Sequence, residues 1–164
     1  MHIDAAGAPR NWIHYETAVV DIRFPDRTVR VEPRPSGTAE GAFPAAADGA
    51  TIHVVTAWNP LGRTASDRDN GRAQSRLLDE LRRRGLPWWP AVGGDAGGAH
   101  REESVALVGL SDHAARDLGR RFHQDAIFAW TPRAWRLLAC GTDAAAVRGW
   151  AAYGRIRPAG PGRR

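Results

Sequence analysis

The sequence contains no lysine, a single cysteine and no long apolar run. One cysteine cannot form a disulfide within the chain, and it cannot build a cysteine-rich zinc site. No apolar stretch approaches the roughly 20 residues that a helix needs to cross a bilayer. The first residues do not show a basic segment followed by an apolar one, so no signal peptide is expected. We therefore expect a soluble, cytoplasmic protein that does not bind membranes.

Because lysine is absent, all 23 residues of the Lys and Arg class are arginine, and the formal net charge is +5. Arginine binds phosphate through a bidentate fork, so one interpretation is affinity for nucleic acid. The other is a compositional bias that also enriches alanine, glycine and proline. Apart from residues 82–84 and 163–164, the arginines are scattered along the chain. Scattered charge favours the compositional interpretation, and weak nucleic-acid binding is kept as a further alternative.

A chain of 164 residues is long enough for one domain. We predict a flexible N-terminus over residues 1–11, a single domain over residues 12–153 and a disordered basic tail over residues 154–164. Residues 33–50 are rich in proline, glycine and alanine and show little periodicity. They are predicted to form a long surface loop.

The first part of the domain shows two strand patterns and one helix pattern. Apolar and polar residues alternate over 20–24 and 28–32, across a turn, which predicts an N-terminal β-hairpin. Residues 51–58 are apolar almost without interruption, as is typical of a central strand covered on both faces. A helix is predicted to begin after Ser66, whose hydroxyl caps it, and to end at Gly85.

The second part of the domain predicts an order of elements that defines the fold class. The elements are strands at 88–92 and 101–110, a helix beginning after Ser111, strands at 125–130 and 134–140, and a short helix at 143–153. From residue 51 the order is β-α-β-β-α-β, as in ferredoxin-like folds. The predicted class is α+β, with a ferredoxin-like split βαβ core and both helices on one face of the sheet. The N-terminal hairpin and a C-terminal strand extend that sheet.

Several short motifs occur in an order that resembles a bacterial family. They are Thr56-Ala57-Trp58-Asn59-Pro60, Asn70, Arg76-Leu77, Leu81, Gly85, Val92-Gly93, Glu102-Glu103-Ser104, Gly109-Leu110 and the run from Arg121 to Phe128. On these motifs the chain, from about Trp12 to Trp130, resembles the uncharacterised family known as domain of unknown function 3293. His123 departs from the pattern, since a small residue, often glycine, is expected there. The resemblance implies no activity, so function has to be argued from the residues.

Polar side chains gather at the crossover from the strand that ends near Asn59 to the helix that opens near Asn70. Ligand sites are common at such strand ends. Amide and hydroxyl groups there could bind a planar polar ligand, against which Trp58 could stack. The alternative is structural, with the amides satisfying backbone groups of the loops. The candidate ligand-binding residues are Thr56, Trp58, Asn59, Asn70, Arg76, Glu103, Ser104 and Gln124.

Two adjacent carboxylates lie at the start of the strand at 101–110. Adjacent residues of a strand point to opposite faces, so Glu102 and Glu103 cannot act as a carboxylate pair. Glu103 alternates in step with the apolar Val105 and Leu107, which predicts that it turns inward. There it would form an ion pair, for example with Arg76 or Arg121, or act as a general base or metal ligand.

No set of nucleophile, base and orienting residue can be assembled from the sequence. Cys140 follows an apolar run and is expected to pack as a small hydrophobe, and the six histidines show no metal-ligand spacing. We therefore assign no catalytic residue, metal or cofactor, and we lean against an enzyme. The preferred hypothesis is a protein that binds a polar small molecule or peptide around Trp58–Asn70. The alternative is a non-catalytic interaction module, with a homodimer formed through a sheet edge as one form of it.

Overall fold

The structure, a computed structural model, describes residues 12–156, which form three helices and nine strands. The helices are α1 (Trp12–Glu16), α2 (Asp67–Arg83) and α3 (Asp112–Arg121). The strands are β1 (Val19–Arg23), β2 (Arg27–Arg34), β3 (Ala39–Glu40), β4 (Ile52–Thr56), β5 (Trp88–Gly94), β6 (Arg101–Leu107), β7 (Ala126–Trp130), β8 (Trp135–Ala139) and β9 (Ala145–Ile156). The predicted flexible N-terminus and residues 157–164 of the predicted tail lie outside the described residues.

Eight of the strands form a closed antiparallel barrel. The pairing runs in the order β2, β1, β5, β6, β4, β7, β8 and β9, and each pair of neighbours is antiparallel. β9 then pairs with β2, from Arg34 opposite Gly149 to Arg27 opposite Ile156, which closes the sheet on itself. The short strand β3 adds a two-residue parallel pairing to β9. An eight-stranded barrel has an interior wide enough for side chains or for one small ligand.

The predicted ferredoxin-like α+β fold class is therefore wrong. The chain order of strands and helices around β4 does not reveal whether a sheet stays open or closes. Closure depends on the pairing of β2 with β9, which lie near opposite ends of the described chain. The predicted helix at 143–153 is also wrong, because residues 145–153 belong to β9 and the two before them are not helical. Its many alanines favour a helix in isolation, but pairing with β8 and β2 overrides that local preference.

Alternation along the strands divides the apolar core into two layers. One layer fills the barrel lumen, where Ile52 and Val54 of β4 meet Phe128 and Trp130 of β7. The other lies outside the barrel, where Val55 and Leu107 pack under the apolar faces of α2 and α3. Every residue from Ile52 to Val55 is buried, because both faces of β4 are covered. The continuous apolar pattern of this strand is thus explained by a helix layer on one side and a filled lumen on the other.

The two long helices begin and end as their sequences predict. Ser66 caps α2 by accepting a hydrogen bond from the backbone of Asp69, and Ser111 caps α3 in the same way. Gly85 follows α2 with a φ of +63°, the left-handed conformation that ends many helices. Within residues 12–156, no helix is long and apolar enough to span a membrane.

An ion-pair cluster around the buried His53 holds the start of α3 against the barrel. His53, on the outer face of β4, is fully buried and lies 2.8 Å from Asp112 Oδ1. Arg136 of β8 binds the same carboxylate through both of its terminal nitrogens. Burial lowers the pKa of His53, and the hydrogen bond from Arg136 lowers the pKa of Asp112 to about 2. The cluster therefore combines a neutral imidazole with an ionised carboxylate.

Two segments have more regular structure than their sequences suggest. Residues 12–16 form α1, and Tyr15 from this helix packs edge-on against Phe128 inside the lumen. The predicted loop at 33–50 includes the end of β2, all of β3 and a 3-10 turn at Ala45–Ala47. Phe43 anchors it, with its ring centroid 5.0 Å from that of Trp130.

Candidate functional site

One end of the barrel lumen holds a cavity of about 400 Å³. It opens where β4, β6 and β7 begin or end, beside α1 and the loop that follows β4. Its walls are residues of the barrel strands, together with residues from the surrounding loops and from α1. The strand residues are Val54, Thr56, Gly93, Gly94, Glu102, Ser104, Ala126 and Phe128. The others are His14, Tyr15, Thr17, Ala18, Asn59, Gly62, Thr64, Asp95, His100 and Gln124.

Strand register brings the polar wall together. Thr56 of β4 lies opposite Ser104 of β6, and Ser104 lies opposite Ala91 of β5. Two residues before Ser104 and on the same face of β6, Glu102 lies opposite Gly93, which has no side chain to fill the space. The lumen at this end is therefore lined by short or polar groups, and the cavity is the volume that these groups leave open.

The loop after β4 is held by a ring of amide hydrogen bonds. Asn59 donates its backbone N–H to Asn70 Oδ1 and its side-chain amide to Glu102 Oε1, at 2.8 and 2.7 Å. Its own Oδ1 accepts from Asn70 Nδ2 and from the backbone of Ala65. Asn70 is buried in α2 and also reaches the Ala65 carbonyl, so both amides are occupied by the loop. These two residues build the rim of the cavity.

A second connection joins the rim to the end of α3. Gln124 donates from Nε2 to the carbonyl oxygens of Trp58 and Phe122, so its amide links the exit of β4 to the exit of α3. His123 takes a φ of +57° and therefore makes the tight helix exit for which a glycine is expected. Its carbonyl accepts a hydrogen bond of 2.8 Å from the backbone of Leu61. The exit is thus kept despite the larger side chain.

Backbone strain is concentrated beside the cavity. In the described chain, four residues other than glycine have a positive φ, and three of them (Asn59, Leu61 and His123) meet at this rim. Asn and His adopt this conformation more easily than most residues, whereas for Leu61 it is unfavourable. Leu61 is also 59% exposed, so no apolar packing offsets the cost. Strain of this kind clusters at ligand-binding and catalytic sites.

Glu102 is the carboxylate of the cavity wall. Its side chain is 21% exposed, and Oε1 accepts from the Asn59 amide and lies 3.2 Å from His100 Nε2. His100 is in the loop between β5 and β6, where Asp95 closes the turn by accepting from the His100 backbone. The carboxylate is thus fixed in orientation by an amide on one side and approached by a solvent-exposed imidazole on the other.

Four of the eight residues selected from the sequence line this cavity: Thr56, Asn59, Ser104 and Gln124. The other four do not. Trp58 takes part through its backbone, and Asn70 supports Asn59 from behind. Arg76 lies on the surface of α2 in a shallow depression beside Glu80 and Arg121. Glu103 is exposed on the outside of the barrel.

The inward turn predicted for Glu103 is not observed, because the inward-facing glutamate is Glu102. Val105 and Leu107 are buried under the helices, and the lumen face of β6 instead carries Ser104 and Ala106. Both faces of this strand are covered. Its sequence therefore has no polar face that would show which residues point into the lumen and which point towards the helices. The ion pair suggested for Glu103 forms elsewhere, where Arg83 and Arg121 bind Glu80 at 2.6 and 2.7 Å.

Sequence reasoning also missed the contributions of α1, Gly93 and Phe128. Nothing in the sequence around His14 and Tyr15 indicates that these residues line a cavity of the barrel. The strand predicted at 88–92 stops before Gly93, which is a lumen position of β5. Phe128 and Ala126 could have been found by extending the alternation of β7 towards Gln124, once the lumen face was known.

Other reactive groups lie away from the cavity. Cys140 is buried against α3, where Gly119 allows so close an approach that a Cβ there would lie 2.5 Å from Sγ. Burial raises the pKa of the Cys140 thiol to about 12, which makes it a poor nucleophile. Within residues 12–156, no group of three or more His, Cys, Asp or Glu side chains is arranged to hold a metal ion.

The fold and the site define a small closed antiparallel barrel with two outer helices and, at one end, a cavity lined by both polar and apolar groups. Residues 55–127 match the family model described as Protein of unknown function (DUF3293), so the resemblance seen in the sequence motifs is confirmed over that range. The matched range contains the polar wall and rim of the cavity, from Thr56 to Gln124. No curated protein and no solved structure matches the chain.

Proposed function

We propose that the chain binds a small polar molecule in the cavity at this end of the barrel. The observation that carries the proposal is the cavity itself, with hydroxyl, amide and carboxylate groups around an aromatic floor at Phe128. Its volume of about 400 Å³ lies in the range of small-molecule sites, which combine apolar walls with a few polar groups that orient the ligand. Eight-stranded barrels that bind one small ligand in the lumen follow the same plan.

The rim hydrogen bonds support this function indirectly. Asn59 and Asn70 satisfy the loop, as the structural alternative expects, and so they position the rim of the cavity. The groups that face the cavity from the strands are Thr56, Glu102 and Ser104, with Gln124 beside them. The strained backbone at Leu61 is held in place by the same loop, which keeps the rim in one conformation. A rigid, already formed rim lowers the ordering cost of binding.

A steric block of the cavity tests the proposal. An added Cβ at Gly93 would meet only Ser104 Oγ, at 3.8 Å, so Gly93→Leu should fold and fill the lumen space beside Glu102. Wild-type protein is screened by thermal shift against a broad panel of metabolites, and each hit is measured by calorimetry. A ligand that binds only the native state raises Tm. We expect Gly93→Leu to abolish binding of these hits.

The matched control is Gly141→Leu, at an exposed turn glycine where an added Cβ meets nothing within 4 Å. It adds the same side chain outside the barrel and should bind every hit as wild type does. The proposal is overturned if no panel member stabilises the wild type, or if Gly93→Leu, folded by circular dichroism, binds the hits unchanged.

A further inference from the structure

The charge of the cavity wall restricts the ligand. Arginine makes up all 23 Lys and Arg residues of the chain, yet within residues 12–156 no arginine is among the residues that line the cavity. The lining includes two carboxylates, Glu102 and Asp95, and two histidines, His14 and His100. A cavity that selects an anion would present arginine, because its guanidinium binds carboxylate and phosphate in a bidentate manner. The charged side chains that line the cavity are instead acidic, and acidic groups favour a cation.

Glu80 is a carboxylate with a structural role, and its partners can be compared with those of Glu102. Its side chain is 11% exposed, and two guanidinium groups, from Arg83 and Arg121, bind its two oxygens. Glu102 is also mostly shielded from solvent, at 21% exposed, but its contacts are an amide and an imidazole. A carboxylate removed from water without a full positive charge beside it is costly. Glu102 therefore differs from the structural carboxylate in lacking an arginine partner in the described chain.

The geometry leaves one side of Glu102 directed to the cavity. Both of its hydrogen bonds use Oε1, and the amide of Asn59 fixes the orientation of the carboxylate. Across the strand pair stands Gly93, which leaves room for a ligand atom. The aromatic rings of Tyr15 and Phe128 pack edge-on in the same lumen, with centroids 6.2 Å apart. Aromatic faces attract cations as well as apolar groups.

We infer that the ligand of the barrel cavity carries a positive charge, as an amine or a related organic cation, and that Glu102 is its counter-ion. The inference rests on the proposed function, because it names the ligand class of that same site. The cationic group would bind Glu102 on the side facing Gly93, and the body of the ligand would lie along Phe128.

Probes that differ only in charge test the inference on the wild-type protein. Tyramine, tyrosol and 4-hydroxyphenylacetate share one aromatic body and carry an ammonium, a hydroxyl and a carboxylate. Pentylamine, pentanol and pentanoate form the matching aliphatic set. We expect the amine of a set to bind about tenfold or more tightly than its alcohol, because the ammonium adds the attraction between opposite charges to the hydrogen bond that the alcohol can also donate to the carboxylate. The acid should bind most weakly.

Glu102→Gln should then reduce amine affinity about tenfold or more and leave the alcohol unchanged. The variant keeps an Oε1 acceptor for the Asn59 amide, so the rim is preserved. Glu103→Gln is the control, since it removes the same charge one residue away on the exposed outer face. Acids that bind as tightly as amines, or a folded Glu102→Gln that keeps the amine preference, would overturn the inference.

Different results would reject the cavity as a binding site and the cation as its ligand. If hits from the broad panel bind and are blocked by Gly93→Leu but show no preference for cations, the site stands and Glu102 is not a counter-ion. If neither probe set binds, the inference is tested by the charges of the molecules from the broad panel that do bind. It is rejected if none of them is a cation. If nothing binds at all, both the site and its ligand class are rejected.

Discussion

The two ends of the barrel lumen are built from the same strands and differ in what fills them. Along β7, the lumen positions pass from Trp130 through Phe128 to Ala126, and Gln124 follows at the strand's start. Along β4 they pass from Ile52 to Thr56. One end is therefore filled by large apolar rings and the other is left open by small and polar groups. The cavity arises from the choice of side chains, because both ends belong to one closed barrel.

The filled end is a cluster of tryptophans. Trp130 is fully buried and meets Trp150 and Phe43 edge-on, with ring centroids 5.3 and 5.0 Å away. Trp135 stacks on Phe128 at 4.9 Å, so the aromatic packing continues up to the cavity floor. Such ring pairs add stability beyond the area that they bury. Stability should therefore be concentrated at this end, and ligand binding at the other.

The largest effect should come from removing a ring at the filled end. Trp130→Ala deletes a side chain that three other rings contact, and it leaves a cavity that the barrel cannot collapse to fill. We expect the free energy of unfolding to fall by about 3–5 kcal/mol, as for other buried aromatic truncations. Denaturation in urea, with the slope compared to wild type, measures the loss.

The control for Trp130→Ala is Trp58→Ala, at a half-buried position outside the lumen cluster. It should cost less than half as much. If both variants lose the same free energy, the aromatic end is not the stability centre of the barrel, and the contrast between the two ends fails.

Much of the local structure follows from the sequence, because it depends on neighbours in the chain. Ser66, Ser111 and Gly85 mark helix ends by hydrogen bonding and backbone geometry within a few residues. The hairpin of β1 and β2 follows from alternation and a turn. Barrel closure does not, because it joins β2 to β9, and an alanine-rich strand has no local feature that separates it from a helix.

The candidate site also contains residues that the sequence predicts and residues that only the tertiary structure reveals. Thr56, Asn59, Ser104 and Gln124 could be selected because they lie at ends of elements, where polar groups gather. Choosing Glu103 over Glu102 failed because strands covered on both faces carry no alternation to identify the lumen side. The contribution of α1 to the cavity wall depends on tertiary packing alone.

A smaller loss of stability is expected at acidic pH. It should arise from the cluster of His53 and Asp112, which lies outside the lumen. The pKa values of His53 and Asp112 are both lowered in the native state, so the unfolded chain binds more protons and stability falls as the pH falls. The His53 contribution is complete above its ordinary pKa of 6.5 and is lost below it. The Asp112 contribution is lost later, as the pH falls from 3.8 towards about 2.

Unfolding at pH 8 and pH 5 isolates the histidine. We expect wild type to be less stable at pH 5 than at pH 8, because burial disfavours protonation of His53 in the folded state and not in the unfolded chain. His53→Gln, which can still donate to Asp112, should lose less, and the exposed His113→Gln should behave as wild type. An equal loss of unfolding free energy in all three proteins would show that groups other than His53, including those of the cavity wall, cause the loss at acidic pH.

The smallest effect should come from adding a methyl group at the open end. Gly93→Ala places a Cβ 3.8 Å from Ser104 Oγ, an ordinary contact, and it restricts the unfolded chain, so stability should change by no more than about 0.5 kcal/mol. At the neighbouring Gly94 a Cβ would lie 2.0 Å from the His100 carbonyl oxygen, so Gly94→Ala must shift the backbone and should cost about 1–3 kcal/mol. Urea denaturation of both variants measures the difference. A Gly93→Ala loss as large as that of Gly94→Ala would mean that the lumen at Glu102 has no room, and the distinction between a filled and an open end would not hold.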